Sequence, residues 1–233
     1  MYICLGNKDK QMTQKEKVIA HVAQMVLTLG VKSVRMDDVA QSLGMSKRTL
    51  YEMFGDKEEL LFQSVLYISE HHACEVLKKV EGCTNSLEML FMCSSAMILD
   101  SGLPSDAQRR LVMNIKKIYP EIYEKMRVYH TEMGLKLLQG AIEKCSHEGF
   151  IEPTVDVELM TRLFFSAMTS IEYDNAMVIP AEVTREEAYG ALFVNFFRGI
   201  STQKGVAEID RIISQYPRPL TLAERRAAKQ NKE

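Results

Sequence analysis

Five side chains within six positions, Ser46, Lys47, Arg48, Thr49 and Tyr51, bring together hydroxyls, a phenol and two cations, with no carboxylate among them. Groups of this kind bind phosphate oxygens and the edges of bases. The Arg48 guanidinium fork matches O6 and N7 of a guanine, worth about 1–3 kcal/mol of discrimination. A phosphate contact, which adds affinity without sequence information, is the alternative for this residue. Thr49 offers a hydroxyl to phosphate and a methyl to thymine. Tyr51 suits a phosphate unless its ring only packs the helix. Lys47 reads as a phosphate ligand, and Ser46 as a helix cap first and a contact second.

The surrounding residues must hold that row outward. Met36 to Lys57 reads MDDVAQSLGMSKRTLYEMFGDK. Val39, Ala40 and Leu43 give one helix an apolar face. Gly44 suits the left-handed backbone that ends it. Ser46 then opens a second helix, which Leu50 and Phe54, four apart, fasten to the first. This spacing predicts a helix-turn-helix that presents Ser46–Tyr51 to a DNA major groove. Lys57 begins a further helix beside the same face.

More capping signals set out the rest of the chain. Thr13 and Glu16 form a capping box before Val18, Ile19, Val22, Val26 and Leu29, with Gly30 as the stop. Asp56 with Glu59, and Thr184 with Glu187, repeat the device. Helices are predicted from Asp56 to about Val80, over Ser86–Ser101, Ser105–Ile118 and Pro120–Cys145, from about Val155 to Val178, over Thr184–Gly199, and near Val206–Tyr216. No segment alternates with period two long enough to make a strand. From Pro217 the chain holds five Lys/Arg and two Asp/Glu with little bulk, which predicts a flexible basic tail or a frayed helix.

Composition narrows the classes. The 233 residues carry a net charge of -2, too little for a protein that coats nucleic acid by bulk charge. Lys8–Lys57 nevertheless holds nine Lys/Arg against six Asp/Glu, so a basic head precedes an acidic body. No apolar run is long enough for a membrane helix, and MYICLGNKDKQ lacks the apolar core of a signal peptide, so a cytoplasmic protein is expected. The five cysteines are odd in number and show no CxxC spacing, which points to free thiols. His71, His72 and Cys74 are clustered, but adjacent helical residues point about 100° apart, so a metal site is not expected there. No nucleophile elbow, phosphate-cradling glycine loop, HExxH or helical Glu-xx-His occurs. The sequence therefore predicts no enzyme and no cofactor.

The run Val39-Ala40, Gly44, Ser46-Lys47, Thr49-Leu50-Tyr51, Phe54 and Lys57-Glu58-Glu59-Leu60 resembles the N-terminal domain of TetR-type transcriptional regulators, over roughly residues 13–61. The resemblance implies an all-α fold with a three-helix DNA-binding head at residues 1–57. A helical effector-binding and dimerisation body would follow at 58–216, with the tail at 217–233. It implies that Lys57 touches a phosphate of a double-stranded operator. It implies a homodimer through the helices at about 155–178 and 184–199, and a ligand-responsive repressor. Independently, one helix-turn-helix reads few base pairs, whereas a two-fold dimer reads two half-sites. Met89, Met92, Met97, Met113, Met126 and Met133 suit either an adaptable pocket for an apolar or amphipathic effector or plain core filling. A regulator without an effector is the alternative. Two positions depart from the family pattern. Met53 stands where an aromatic or histidine is common. Asp37 stands where a basic or hydroxyl residue often faces the DNA backbone, with Arg35 the nearby cation that would offset it.

Overall fold

The structure, a computed structural model, describes residues 12–99, 105–173 and 179–230, and every regular element among them is a helix. Local chemistry accounts for the first of these. In α1 (Gln14–Leu29) the Glu16 N–H donates to Thr13 Oγ1 at 3.2 Å, and the Thr13 N–H donates to Glu16 Oε2 at 2.7 Å. Val18, Val22 and Val26, four apart, are all buried on one face. Gly30, at φ +80°, stops the helix and leads into a 3-10 turn, Val31–Ser33, that periodicity does not reveal.

α2 (Met36–Ser42) and α3 (Lys47–Phe54) follow, with Gly44 between them at φ +63°, the left-handed region its role as a helix stop requires. α3 has eight residues, too few to persist alone in water. Leu50 and Phe54 are buried and bind it to the rest. Replacing Leu50 by alanine would remove about 2–5 kcal/mol of that packing. The remaining helices are α4 (Lys57–Lys79), α5 (Ser86–Leu99), α6 (Ser105–Ile118), α7 (Pro120–His147), α8 (Val157–Tyr173), α9 (Arg185–Ile200), α10 (Gln203–Ile213) and α11 (Leu222–Gln230). Ser101, and residues 174–178 of the expected interface helix, lie outside the described residues.

The chain packs as two compact units. The first holds α1–α4, α6 and α7 as far as Thr131. α1 lies along α4, and α6 meets the 3-10 turn. One core joins Val22, Val39, Leu50, Leu60 and Leu61 with Ile115, Ile122 and Met126.

The second unit holds α5, α7 from Glu132, and α8–α11. Its centre is aromatic. Phe193 meets Phe91 edge-on with centroids 4.5 Å apart, and Phe164 meets Phe193 at 5.5 Å and Phe197 at 5.3 Å. Edge-to-face pairs add about 0.5–1.5 kcal/mol each beyond their area. α5 is tied to α10 by Arg211, which reaches Glu88 at 3.0 Å and Glu208 at 2.7 Å. An isolated antiparallel bridge, Ile151 with Ser201, clamps the α7–α8 linker to the α9–α10 turn.

At the C-terminal end, where composition predicts a flexible or frayed segment, the structure has α11. Thr221 and Glu224 cap it reciprocally, at 2.7 and 3.2 Å. Arg225 donates two bonds to the Glu187 carboxylate, at 2.9 and 2.8 Å, and one to the Glu182 carbonyl. Residues 231–233 lie outside the described residues. Among the described cysteines, Cys83, Cys93 and Cys145 are free, as expected.

Candidate nucleic-acid interface

α3 presents its polar row as the spacing predicts. Ser46, Lys47, Arg48 and Tyr51 are exposed and Thr49 is half-exposed, while Leu50 and Phe54 point inward. Ser46 is the N-cap, with its Oγ accepting from the Thr49 N–H at 3.0 Å. The same oxygen lies 2.8 Å from Thr49 Oγ1, so the two hydroxyls share a hydrogen bond at the helix start. The turn before it is held by the Met45 N–H on the Ala40 carbonyl at 3.0 Å and the Gly44 N–H on Gln41 at 3.2 Å. Across the back, His21 Nε2 lies 2.7 Å from Ser42 Oγ, linking α1 to α2.

The cations of this face are not bare. Lys47 Nζ is 2.9 Å from Asp37 Oδ1, across the turn from α3 to α2. A hydrogen bond to that carboxylate, reinforced by its charge, raises the Lys47 ammonium above its ordinary value. Lys47, from α3 itself, is thus the cation that meets Asp37, in the place considered for Arg35. Arg48 donates from Nε to Glu52 Oε1 at 2.8 Å, one turn further along α3. The row Ser46–Tyr51 itself holds no acid, and Glu52, just beyond it, stands at the i,i+4 spacing from Arg48 that a helix brings into contact.

Lys57, at the start of α4, is half-buried with its ammonium over the Tyr119 ring, 5.6 Å from the centroid. Met53 is half-buried and packs on the first unit's core, so its side chain belongs to the inner side of α3. That explains why no polar group is needed there.

Of the six methionines singled out in the sequence, the Met97 side chain lies outside the described residues. Met126 is in the first core and Met113 is 54% exposed. Met89 and Met92 are half-buried on α5, and Met133 is half-buried on α7. α8 and α9 pack on each other. Leu159 and Leu163, four apart on α8, stand about half exposed. Among the described residues no group of three or more His, Cys, Asp or Glu side chains is placed to hold a metal ion, and no helix is long and apolar enough to cross a membrane.

Comparison with known proteins agrees with this geometry. Residues 23–63 match the family of bacterial regulatory proteins described as the tetR family. The chain is 19% identical over 140 residues to the HTH-type transcriptional regulator HbdR of Aromatoleum sp. (strain CIB), spanning 60% of this chain and 61% of that one. Among solved structures, a TetR-family regulator from Rhodococcus sp. superposes with a TM-score of 0.58 at 18% identity, covering 81% of this chain and 98% of the other. One from Mesorhizobium loti gives 0.57 at 18% identity, covering 82% and 100%. At that identity the likeness establishes the fold: an N-terminal helix-turn-helix followed by a larger helical region.

Proposed function

From the premise that its helix-turn-helix head belongs to the TetR family of bacterial regulatory proteins, we propose that this chain is a sequence-specific transcriptional regulator that binds operator DNA as a homodimer. The observation that carries this reading is the outward polar row of α3 on a helix whose Leu50 and Phe54 are committed to the core. In the complex, Arg48 reads a base edge, and Ser46, Lys47, Thr49, Tyr51 and Lys57 engage phosphates and sugars. Phosphate contacts set the register and Arg48 supplies the discrimination. The site of action is where the DNA is, in the cytoplasm.

The dimer forms through α8 and α9. Support comes from Leu159 and Leu163, whose half-exposed side chains make an apolar ridge on α8 flanked by the Arg162–Glu158 ion pair. A two-fold pair would place two α3 helices on successive turns of one duplex face.

The regulator is a repressor controlled by a small apolar or amphipathic effector that binds the helical body. An effector changes DNA affinity only if it binds one spacing of the two heads more tightly than another.

Fluorescence anisotropy with DNA from upstream of the chain's own gene, beside scrambled DNA at two salt concentrations, tests the reading. The native fragment is expected to bind at least about a thousandfold tighter, with Arg48→Ala removing the preference. Equal weak binding to both, and no motif enriched from a random duplex pool, would end it.

A further inference from the structure

Glu52 was not among the residues expected to meet DNA, yet it is the one partner of Arg48 seen among the described residues. The bond is to Nε alone, and the Arg48 side chain remains 87% exposed. An arginine side chain has four rotatable bonds and two faces that can bind a base: the Nη1/Nη2 end and the Nε/Nη2 side. Occupying Nε with a carboxylate removes the second and leaves the end-on fork. That fork, with two parallel N–H donors, can span O6 and N7 of guanine. Pinning it before contact also reduces the conformational freedom lost on binding.

Helix geometry brings the pair together but stabilises it only weakly. Arginine preceding glutamate by four residues is the weaker order for an ion pair on a helix, because it places the acid nearer the negative end of the dipole. A carboxylate on a face that enters a phosphate-lined groove weakens binding unless it acts on something there.

We infer that Glu52 is a specificity-determining positioning residue, holding Arg48 by Nε so that its two Nη groups address a guanine. The inference rests on the proposed reading of α3 as the DNA-contacting helix. The charge of Glu52 also lowers affinity for every duplex alike, so the gap between right and wrong sequences comes from the positioning of Arg48.

Selection from a fully randomised duplex pool tests this, with bound DNA sequenced for the wild type, Arg48→Ala, Glu52→Gln and Glu52→Ala. The wild type is expected to prefer guanine about tenfold or more at one position of each half-site. Arg48→Ala and Glu52→Ala should both lose that preference at that position and keep the others. Glu52→Gln, whose Oε1 still accepts from Nε, should retain most of it. The two Glu52 variants remove the same charge, so their salt dependence should steepen alike, which separates charge from positioning. Three results overturn the inference: an unchanged motif in Glu52→Ala, a loss spread evenly over all positions, or a Glu52→Gln variant as relaxed as Glu52→Ala. If the wild type itself enriches no motif, the DNA-reading assignment of α3 falls, and the role of Glu52 falls with it. Glu52 is an exposed side chain, so circular dichroism melts of the variants should match the wild type.

Discussion

Lys47 of α3 and Asp37 of α2 form an ion pair across the helix-turn-helix, with Nζ 2.9 Å from Oδ1 and 3.1 Å from Oδ2. The pair braces the two helices and cancels one cation on the face assigned to DNA. In Asp37→Asn the ammonium is released to phosphate. This variant is expected to bind both specific and scrambled duplexes more tightly, with a plot of log affinity against log salt steeper by about one. Anisotropy titrations at several salt concentrations measure it. An unchanged salt slope would mean that Lys47 does not reach the DNA backbone.

The α8 ridge makes a prediction about assembly. Leu163→Glu, and more strongly Leu159→Glu with Leu163→Glu, should convert a dimer to a monomer in sedimentation velocity while the helical circular dichroism is kept. Both leucines are about half exposed in the single chain, so the exchange leaves its core intact. A variant that still sediments as a dimer would place the interface on another surface.

Glu88 should give the second unit an acid-sensitive limb. Its carboxylate is held down to about 2 by the Thr84 backbone N–H, the Thr84 hydroxyl and the Arg211 guanidinium. Its folded value lies below the ordinary 4.5, so the unfolded chain takes up the proton first. The stabilisation is therefore complete above about pH 4.5 and is lost as pH falls toward 2. Glu88→Gln should melt below the wild type at pH 6, and the gap should close as the pH approaches 2. Thermal melts across that range check it, and a gap independent of pH would show that the charge of Glu88 is not what ties Arg211.

Gly205 marks a close approach. A Cβ there would overlap the Phe150 carbonyl oxygen and stand 2.9 Å from Ser201 Cβ. The backbone cannot retreat, because the Thr202 N–H binds the Phe150 carbonyl at 3.0 Å. Gly205→Ala is expected to destabilise the unit by about 1–3 kcal/mol. Gly140→Ala, on an exposed part of α7 with nothing within 4 Å, should instead stabilise by about 0.5–1 kcal/mol. Denaturant titrations of the two variants should move in opposite directions.

Much of the architecture can be read along the chain because it depends on neighbours in sequence. Helical period, the Thr13, Asp56 and Thr184 caps, the stop at Gly44 and the split between Leu50–Phe54 inside and Ser46–Tyr51 outside are all decided within a turn or two of helix. The cap at Thr221–Glu224 was equally legible, and it marks α11, where composition alone suggested a loose end. The i,i+4 spacing of Arg48 and Glu52 could also have been read, since a helix brings such residues together wherever it lies.

Other relationships exist only after elements have packed. No periodicity tells that Ile115, Ile122 and Met126 complete a core with Val22 and Leu50, or that α6 and the start of α7 belong to the same unit as the reading head. The same holds for Tyr119 beneath Lys57, Arg225 on Glu187, and Gly205 against Phe150. The sequence by itself determined which helices form and which face of α3 meets water, because hydrophobic period and capping act locally. Tertiary structure decided that Lys47 meets Asp37, that Arg225 meets Glu187 and where backbones touch, because those contacts need separate segments brought within a few ångströms, and only packing does that.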